Sequence, residues 1–289
     1  MRILIFGINY APELTGIGKY TGEMAAWLAG EGHEVTMITA LPYYPEWRVH
    51  AKYRGKMWVR EILDGVNVYR CPLYVPAQVT ALKRIIHEFT FLAAILPVWF
   101  ASLFQKKYDV VFCVSPPFHL GLLPMLYAKF KGAKLINHIQ DLQVDAAKDL
   151  GMIKSKRFLD VMFGTEKYLL EKGDVVSTIS TGMQRKIEQK GISPDRIWQF
   201  PNWVDESAVK PLPISQSLRR EFGIPDTASV IMYSGNLGEK QGLEIIIEVA
   251  KHFEGQDHIH FIIVGSGGAK EKLEAMVREA GLNNVGFHP

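Results

Sequence analysis

The chain has 289 residues, of which 48% are hydrophobic and 22% charged, with a formal net charge of +3. That is the balance of a globular protein long enough for two domains, and the charge is too weak to lead one to expect a nucleic-acid partner. The two cysteines, Cys71 and Cys113, fall inside apparent strands, so neither a disulfide framework nor a zinc site is expected.

In chain order, residues 2–7 (RILIFG) read as a buried strand, and the chain enters it at once with no signal peptide, so cytoplasm is the expected compartment. The stretch 9–24, NYAPELTGIGKYTGEM, then sets Gly16, Gly18 and Gly22 around Lys19. Over 20–30 a helical stripe of Tyr20, Met24, Trp27 and Leu28 is predicted, closed by Gly30 or Gly32. Strands follow at 34–40 and 66–72, and then 16 uncharged residues at 89–104 (FTFLAAILPVWFASLF). As a helix of about 24 Å this segment falls short of a bilayer core of roughly 30 Å. Pro97 is expected to kink it, and Lys83, Arg84, Lys106 and Lys107 flank it. Three readings stand open: a buried core helix, a helix lying in a membrane interface with the cations on lipid headgroups, and a true span.

Further strands are predicted at 109–115, 134–140, 174–180, 196–202, 229–235 and 259–265, with a third C-terminal one beginning at Val285, and helices at 157–172 and 240–254. The strands are near-continuous apolar runs separated by helical patterns, which predicts a doubly wound α/β fold with parallel sheets. Residues 203–228 hold three prolines and no strand, and the domain boundary is placed at their start, giving domains 1–203 and 204–289. The second domain is then short of the five or six strands such a domain carries, and a C-terminal truncation is the expected reason.

Ligands in open parallel sheets bind beyond the carboxyl ends of the strands. The first strand is followed by GxGxxxG spacing, which is neither the dinucleotide fingerprint nor a Walker A loop, because Tyr20 follows Lys19 where Ser or Thr is needed. No acid ends the second strand, where Ala40 and Leu41 stand, and this disfavours an NAD site. What remains is a helix N-terminus and glycine backbone suited to an anion at Gly16 and Gly18, with Lys19 adding charge. At the tip of 134–140, His138 and Asp141 of NHIQD can touch a polar ligand, while a hydrogen-bonded structural histidine is the competing reading. Ser180 is expected to cap a helix, and no DxD metal motif is present. In the second domain YSGNLGEKQGLE (233–244) offers Gly235, Asn236 and Lys240, and VGSGG (264–268) offers Gly265 and Gly267, both as anion-binding strand tips. Glycine-lined tips in both domains predict a nucleotide diphosphate as ligand.

The set GIGKYTGEMAAWLAGEGHEVTMIT, HIQD, STIS, FPNWVD, YSGNLGEKQGLE and VGSGG resembles the family 4 glycosyltransferases of GT-B fold, along nearly the whole chain. The similarity is nearest to the fucosyltransferase-type subgroup of colanic acid and exopolysaccharide biosynthesis. The resemblance implies two Rossmann-like domains facing a cleft. The donor, a GDP- or UDP-linked sugar, would sit mainly on the second domain, and a lipid-linked saccharide acceptor on the first. It further implies that Gly16 and Gly18 meet donor phosphate or acceptor, that His138 contacts the transferred sugar, that Lys240 holds the diphosphate and that Gly265 and Gly267 line the nucleotide site. Transfer with retention, without cofactor or metal, by a cytoplasmic enzyme peripheral to the inner membrane face, completes the expectation. Two departures stand out: Asn236 occupies a position where many members carry arginine, and the resemblance implies that the family's paired-glutamate motif would be expected downstream of Pro289. A nucleotide-sugar epimerase on the same scaffold and an inactive remnant remain as alternatives.

Overall fold

The computed structural model describes residues 1–151, 153 and 155–288, with the side chain of Lys240 outside the described residues. The chain divides into two compact units, Met1–Trp203 and Val204–Pro289.

The first unit is built on strands β1 (Arg2–Phe6), β2 (Glu34–Ala40), β3 (Val59–Leu63), β4 (Val66–Cys71), β5 (Val110–Ser115), β6 (Lys134–Ile139), β7 (Val175–Thr178) and β8 (Ile197–Gln199). They form one sheet in the order β3-β4-β2-β1-β5-β6-β7-β8, parallel throughout except for the antiparallel β3–β4 pair. Helices α1 (Gly16–Gly30), α2 (Ala81–Ser102), α3 (Leu122–Lys131), α4 (Gln143–Asp149), α5 (Lys156–Lys172) and α6 (Thr181–Gln189) connect the strands. Alternation along β1 shows why its run is apolar on both sides. Ile3 and Ile5 pack in a cluster with Met24 and Ala25 of α1, whereas Leu4 and Phe6 pack with Phe91 and Ile95 of α2 and Leu123 and Tyr127 of α3. Each such side chain taken fully out of water contributes roughly 1.5–3 kcal/mol before entropy is counted.

Three local predictions need correction. The buried face of α1 is Gly18, Thr21, Gly22, Met24 and Ala25, while Trp27 is 64% exposed. Small residues let this helix lie close to the loop after β1, so the large apolar side chains do not mark its inner face. Strand β3 went unread because VREIL mixes charge with apolar residues. Asp64 and Gly65, at φ 49° and 79°, make the tight turn that pairs it with β4. Helix α2 is 22 residues long rather than 16, starts where the Thr80 hydroxyl accepts from Lys83 N, and continues through Pro97. Its length and apolar composition would suffice to cross a membrane, and 28% of its most apolar window is buried in the protein. One face, including Phe91 and Ile95, belongs to the core, and the other leaves Leu82, Ile86, Phe89, Leu96 and Phe100 exposed.

The second unit carries β9 (Ser229–Ser234), β10 (Ile259–Val264) and β11 (Val285–His288), parallel in the order β11-β10-β9. Helices α7 (Glu244–His252) and α8 (Lys270–Glu279) cover one face through Ile247, Leu273, Phe261 and Ile263. The helix expected from residue 240 begins four residues later: Glu239–Gln241 is a single 3-10 turn, and Gly242 at φ 61° breaks it from α7.

Candidate active site

Strand order reverses at β1 and β5, the position where open parallel sheets leave a crevice for ligand. The loop after β1 is held by Glu13, which is buried and accepts hydrogen bonds from Asn9 Nδ2 at 2.9 Å and from the backbone N–H of Tyr43 and Tyr44 at 3.0 Å. Burial raises its pKa, against the pull of those donors. A Cβ on Gly18 would lie 2.8 Å from Glu13 Cβ and Oε2, and one on Gly22 would lie 2.8 Å from Ala11 Cβ. Close packing of the loop on α1 therefore requires both glycines, whatever the ligand. Gly16 has φ 60°, a conformation glycine reaches without strain. The first turn of α1 holds no acidic residue, so its positive end is not neutralised from within the helix. Lys19 Nζ stands 4.0 Å from Glu23 Oε1. Glu23 in turn accepts from Trp203 Nε1 at 2.7 Å.

His138 lies at the tip of β6 and is buried. Gln140 Nε2 lies 2.9 Å from its Nε2, and Ser177 Oγ lies 2.9 Å from its Nδ1. The amide can only donate, so Nε2 accepts, and Nδ1–H donates to the hydroxyl. Burial pushes the pKa of the ring down to about 4, so it is neutral at pH 7. Gln140 and Asn202 exchange amide hydrogen bonds at 3.1 Å. Phe200 packs on His138 (ring centroids 5.5 Å), Trp203 on Phe200 (5.7 Å) and Tyr20 on Trp203 (5.4 Å). This aromatic line joins the β6 tip to the first turns of α1, so the structure brings Gly16, Gly18, Lys19 and His138 to one edge of the sheet. Asp141, two residues past the end of β6, is partly buried at the same edge.

Sequence reasoning missed the polar cluster beside them. Glu88 of α2 is 5% exposed and accepts from Gln143 Nε2 at 2.7 Å and from Arg84 Nε at 3.2 Å. His119, in the turn after β5, stacks on Phe89 at 4.6 Å and stands 4.0 Å from Glu88 Oε2. Burial raises the Glu88 pKa and lowers that of His119 to about 4. Gln143 Oε1 and the Nε2 atoms of His119 and His87 are buried without a protein partner. An acidic residue inside an apolar helical run was the available signal for Glu88. His119 gave none, having no chemistry-bearing neighbour in the sequence.

In the second unit the tips of β9 and β10 are pressed together. Gly235 N–H donates to Val264 O at 3.0 Å, and Leu237 N–H to Ser266 O at 2.9 Å. A Cβ on Gly265 would come within 2.0 Å of Gly235 O, and one on Gly267 within 2.4 Å of Leu237 O. Gly235, Gly265 and Gly267 also take φ of 157°, 139° and 157°. These glycines form a backbone seam that places Asn236 at the tip, with its carbonyl accepting from Tyr233 OH at 2.9 Å. Lys240 occupies the 3-10 turn that follows, and its side-chain placement lies outside the described residues. The positive end of α7 is already neutralised by Glu244, which takes a 2.7 Å ion pair from Lys272. Among the described residues no three His, Cys, Asp or Glu side chains gather into a metal-binding group.

Comparison with known proteins places this geometry. Residues 15–203 match the family described as Glycosyl transferase 4-like domain, and residues 215–289 the family Glycosyl transferases group 1. The whole chain is 42% identical to 72% of a protein of Escherichia coli K12 named as the colanic acid biosynthesis glycosyl transferase WcaI. Sucrose-phosphate synthase from Thermosynechococcus elongatus superposes with a TM-score of 0.70 at 16% identity, covering 99% of this chain and 69% of that one. Anabaena HepE in complex with UDP superposes at 0.66 with 16% identity, covering 100% of this chain and 70% of that one. The fold is GT-B, and the chain belongs to the glycosyl transferase 4-like family.

Proposed function

We propose that the protein transfers a sugar from a nucleotide-diphosphate donor to a lipid-linked saccharide during synthesis of a colanic-acid-like surface polysaccharide. The observation that carries this reading is the 42% identity extending over the entire chain. The donor diphosphate belongs at the tips of β9 and β10, on the backbone around Gly235, Asn236, Gly265 and Gly267 and the cation of Lys240. Its base is guanine or uracil, and the UDP-bound Anabaena relative supports uracil. The acceptor saccharide belongs at the carboxyl edge of the first unit, beside His138 and Asp141 and the unpartnered amide oxygen of Gln143.

The chemistry asks for stabilisation of a departing diphosphate and a cationic sugar, which fixed dipoles and cations provide without a strong nucleophile. His138, neutral and held by Ser177, acts by fixing Gln140 as well as by its own contact with the sugar. Transfer proceeds with retention at the anomeric carbon and without cofactor or metal. The enzyme works at the inner face of the cell membrane, where a lipid-linked acceptor resides. The test is a transfer assay with a panel of UDP- and GDP-sugars and a lipid diphosphate-sugar acceptor, with and without EDTA, the product's anomeric configuration being read by NMR. Retained configuration in EDTA with one donor supports the proposal. Inversion, a strict metal requirement, or epimerised donor without transfer overturns it.

A further inference from the structure

We propose that the first unit holds one acyl chain of an anionic membrane phospholipid in a cavity beneath the C-terminal half of α2. The cavity measures about 450 Å³ and is lined by Leu4, Ile38, Tyr69, Pro97 and Tyr108, with Trp58 at its rim. At about 30 Å³ for a water-sized group it has room for roughly fifteen of them, enough for the bulk of one acyl chain, and the apolar lining rather than the volume selects that occupant.

Three polar groups of its walls are already paired within the protein. Tyr108 OH donates to Thr36 Oγ1 at 3.0 Å, and Ser102 Oγ to Trp99 O at 2.6 Å. Trp58 Nε1 donates to Ala94 O at 2.9 Å. That last bond lies in the helical turn before Pro97 and ties the indole to the backbone of α2. Trp58, 51% exposed, is thereby fixed over the opening. No charged side chain lines the space. Most of the lining is apolar, with Gln105 as the polar side chain at its exposed end, and a hydrocarbon chain fits such walls without leaving buried polar groups unmet.

The surroundings identify the source of the chain. Residues 97, 101 and 105 line the cavity on one i, i+4 row of α2 and its extension, and 96, 100 and 104 form the adjacent row. In that adjacent row Leu96 is 45%, Phe100 58% and Phe104 78% exposed, and Met57 beside Trp58 is 58% exposed. Such a contiguous apolar rim is costly in water and suited to an acyl layer. Exposed Lys106 and Lys107 follow it directly, and the Arg60 guanidinium lies 5.2 Å from the Tyr69 ring on the cavity wall. The nearby acid Glu34 is already paired with Arg2 at 2.7 Å. Cations at the mouth of an apolar slot match an anionic headgroup above its own chain. The slot lies against Leu4, Thr36 and Ile38 in the middle of β1 and β2, and neither His138 nor Asp141 lines it, so its lipid anchors the enzyme and is not the acceptor.

This inference rests on the membrane part of the proposed function and not on the transfer reaction. The full chain is mixed with vesicles of phosphatidylcholine alone or with phosphatidylglycerol carrying brominated acyl chains, and tryptophan quenching is read beside co-flotation. The expected result is flotation at least tenfold greater with phosphatidylglycerol, with bromine quenching that falls by half or more in W58F. In A101F, which fills the slot from the exposed helix face, quenching should be lost while far-ultraviolet circular dichroism is kept. Equal flotation with native quenching in A101F would overturn the chain site and leave surface adsorption intact. Absence of flotation with either vesicle would overturn the site and the membrane reading together, and the transfer assay, which needs no vesicle, would stand apart from both.

Discussion

Gly18→Ala and Gly22→Ala separate the two reasons a glycine can stand in the first loop. If the glycines serve only to admit a phosphate, alanine leaves the fold untouched, and in a helix it stabilises by up to about 1 kcal/mol over glycine. The structure predicts the opposite sign. The new Cβ on residue 18 sits 2.8 Å from Glu13 Cβ and Oε2, and that on residue 22 sits 2.8 Å from Ala11 Cβ. That is about 1 Å inside ordinary carbon contact. Glu13 cannot swing aside without giving up Asn9 and the amides of Tyr43 and Tyr44, and Ala11 is fixed by its backbone. Overpacking of this kind costs about 1–3 kcal/mol, which outweighs the helix gain. Gly164, inside α5 with open space where its Cβ would be, provides the control, and Gly164→Ala should stabilise by ~0.5–1 kcal/mol. Urea unfolding followed by circular dichroism measures all three. Native or greater stability of both Gly18→Ala and Gly22→Ala would refute the packing argument and return these glycines to the ligand.

Four further outcomes are expected. His119 is held near pKa 4 in the fold against 6.5 unfolded, so between those values the unfolded chain binds a proton that the folded one refuses, and stability falls as pH drops through that window. His119→Gln removes this loss, and its stability relative to the native protein should improve by about 2 kcal/mol from pH 7 to pH 5, measured by urea midpoints at both pH values. Lys190 lies 2.7 Å from both Asp145 and the buried Glu166. Lys190→Met should cost about 3–5 kcal/mol, and the double variant with Glu166→Met should recover most of it; no recovery would mean that the lysine acts by packing alone. Gly265→Ala, with a Cβ 2.0 Å from Gly235 O, should make residues 204–289 the first segment cut by protease, and an unchanged digestion pattern would count against the seam. On function, Lys240→Ala should raise KM for the donor with kcat nearly kept, while His138→Ala should lower kcat at least tenfold with little change in donor binding; the reverse pattern would exchange the two roles.

The alternation of apolar β-branched runs with helical segments was enough to read the α/β class, because a strand covered on both faces must be apolar at nearly every position. Nine predicted strands and the one beginning at Val285 correspond to elements of the two sheets. The family too was legible, since HIQD, FPNW and the glycine turns sit at fixed places after strands. Strand β3 was not, because a charged edge strand carries no apolar run, and the Asp64–Gly65 turn was its only local mark. Nor was the inner face of α1, where the loop above leaves room only for small residues. The site residues divide the same way. Sequence named His138, but only tertiary contact reveals that Ser177 and Gln140 occupy both its nitrogens, and that Glu88, Gln143 and His119, far apart in the chain, meet at one sheet edge. Periodicity records which elements form. Which side chains meet is set by crossover connections and strand order, and those leave no local trace in the residues they join.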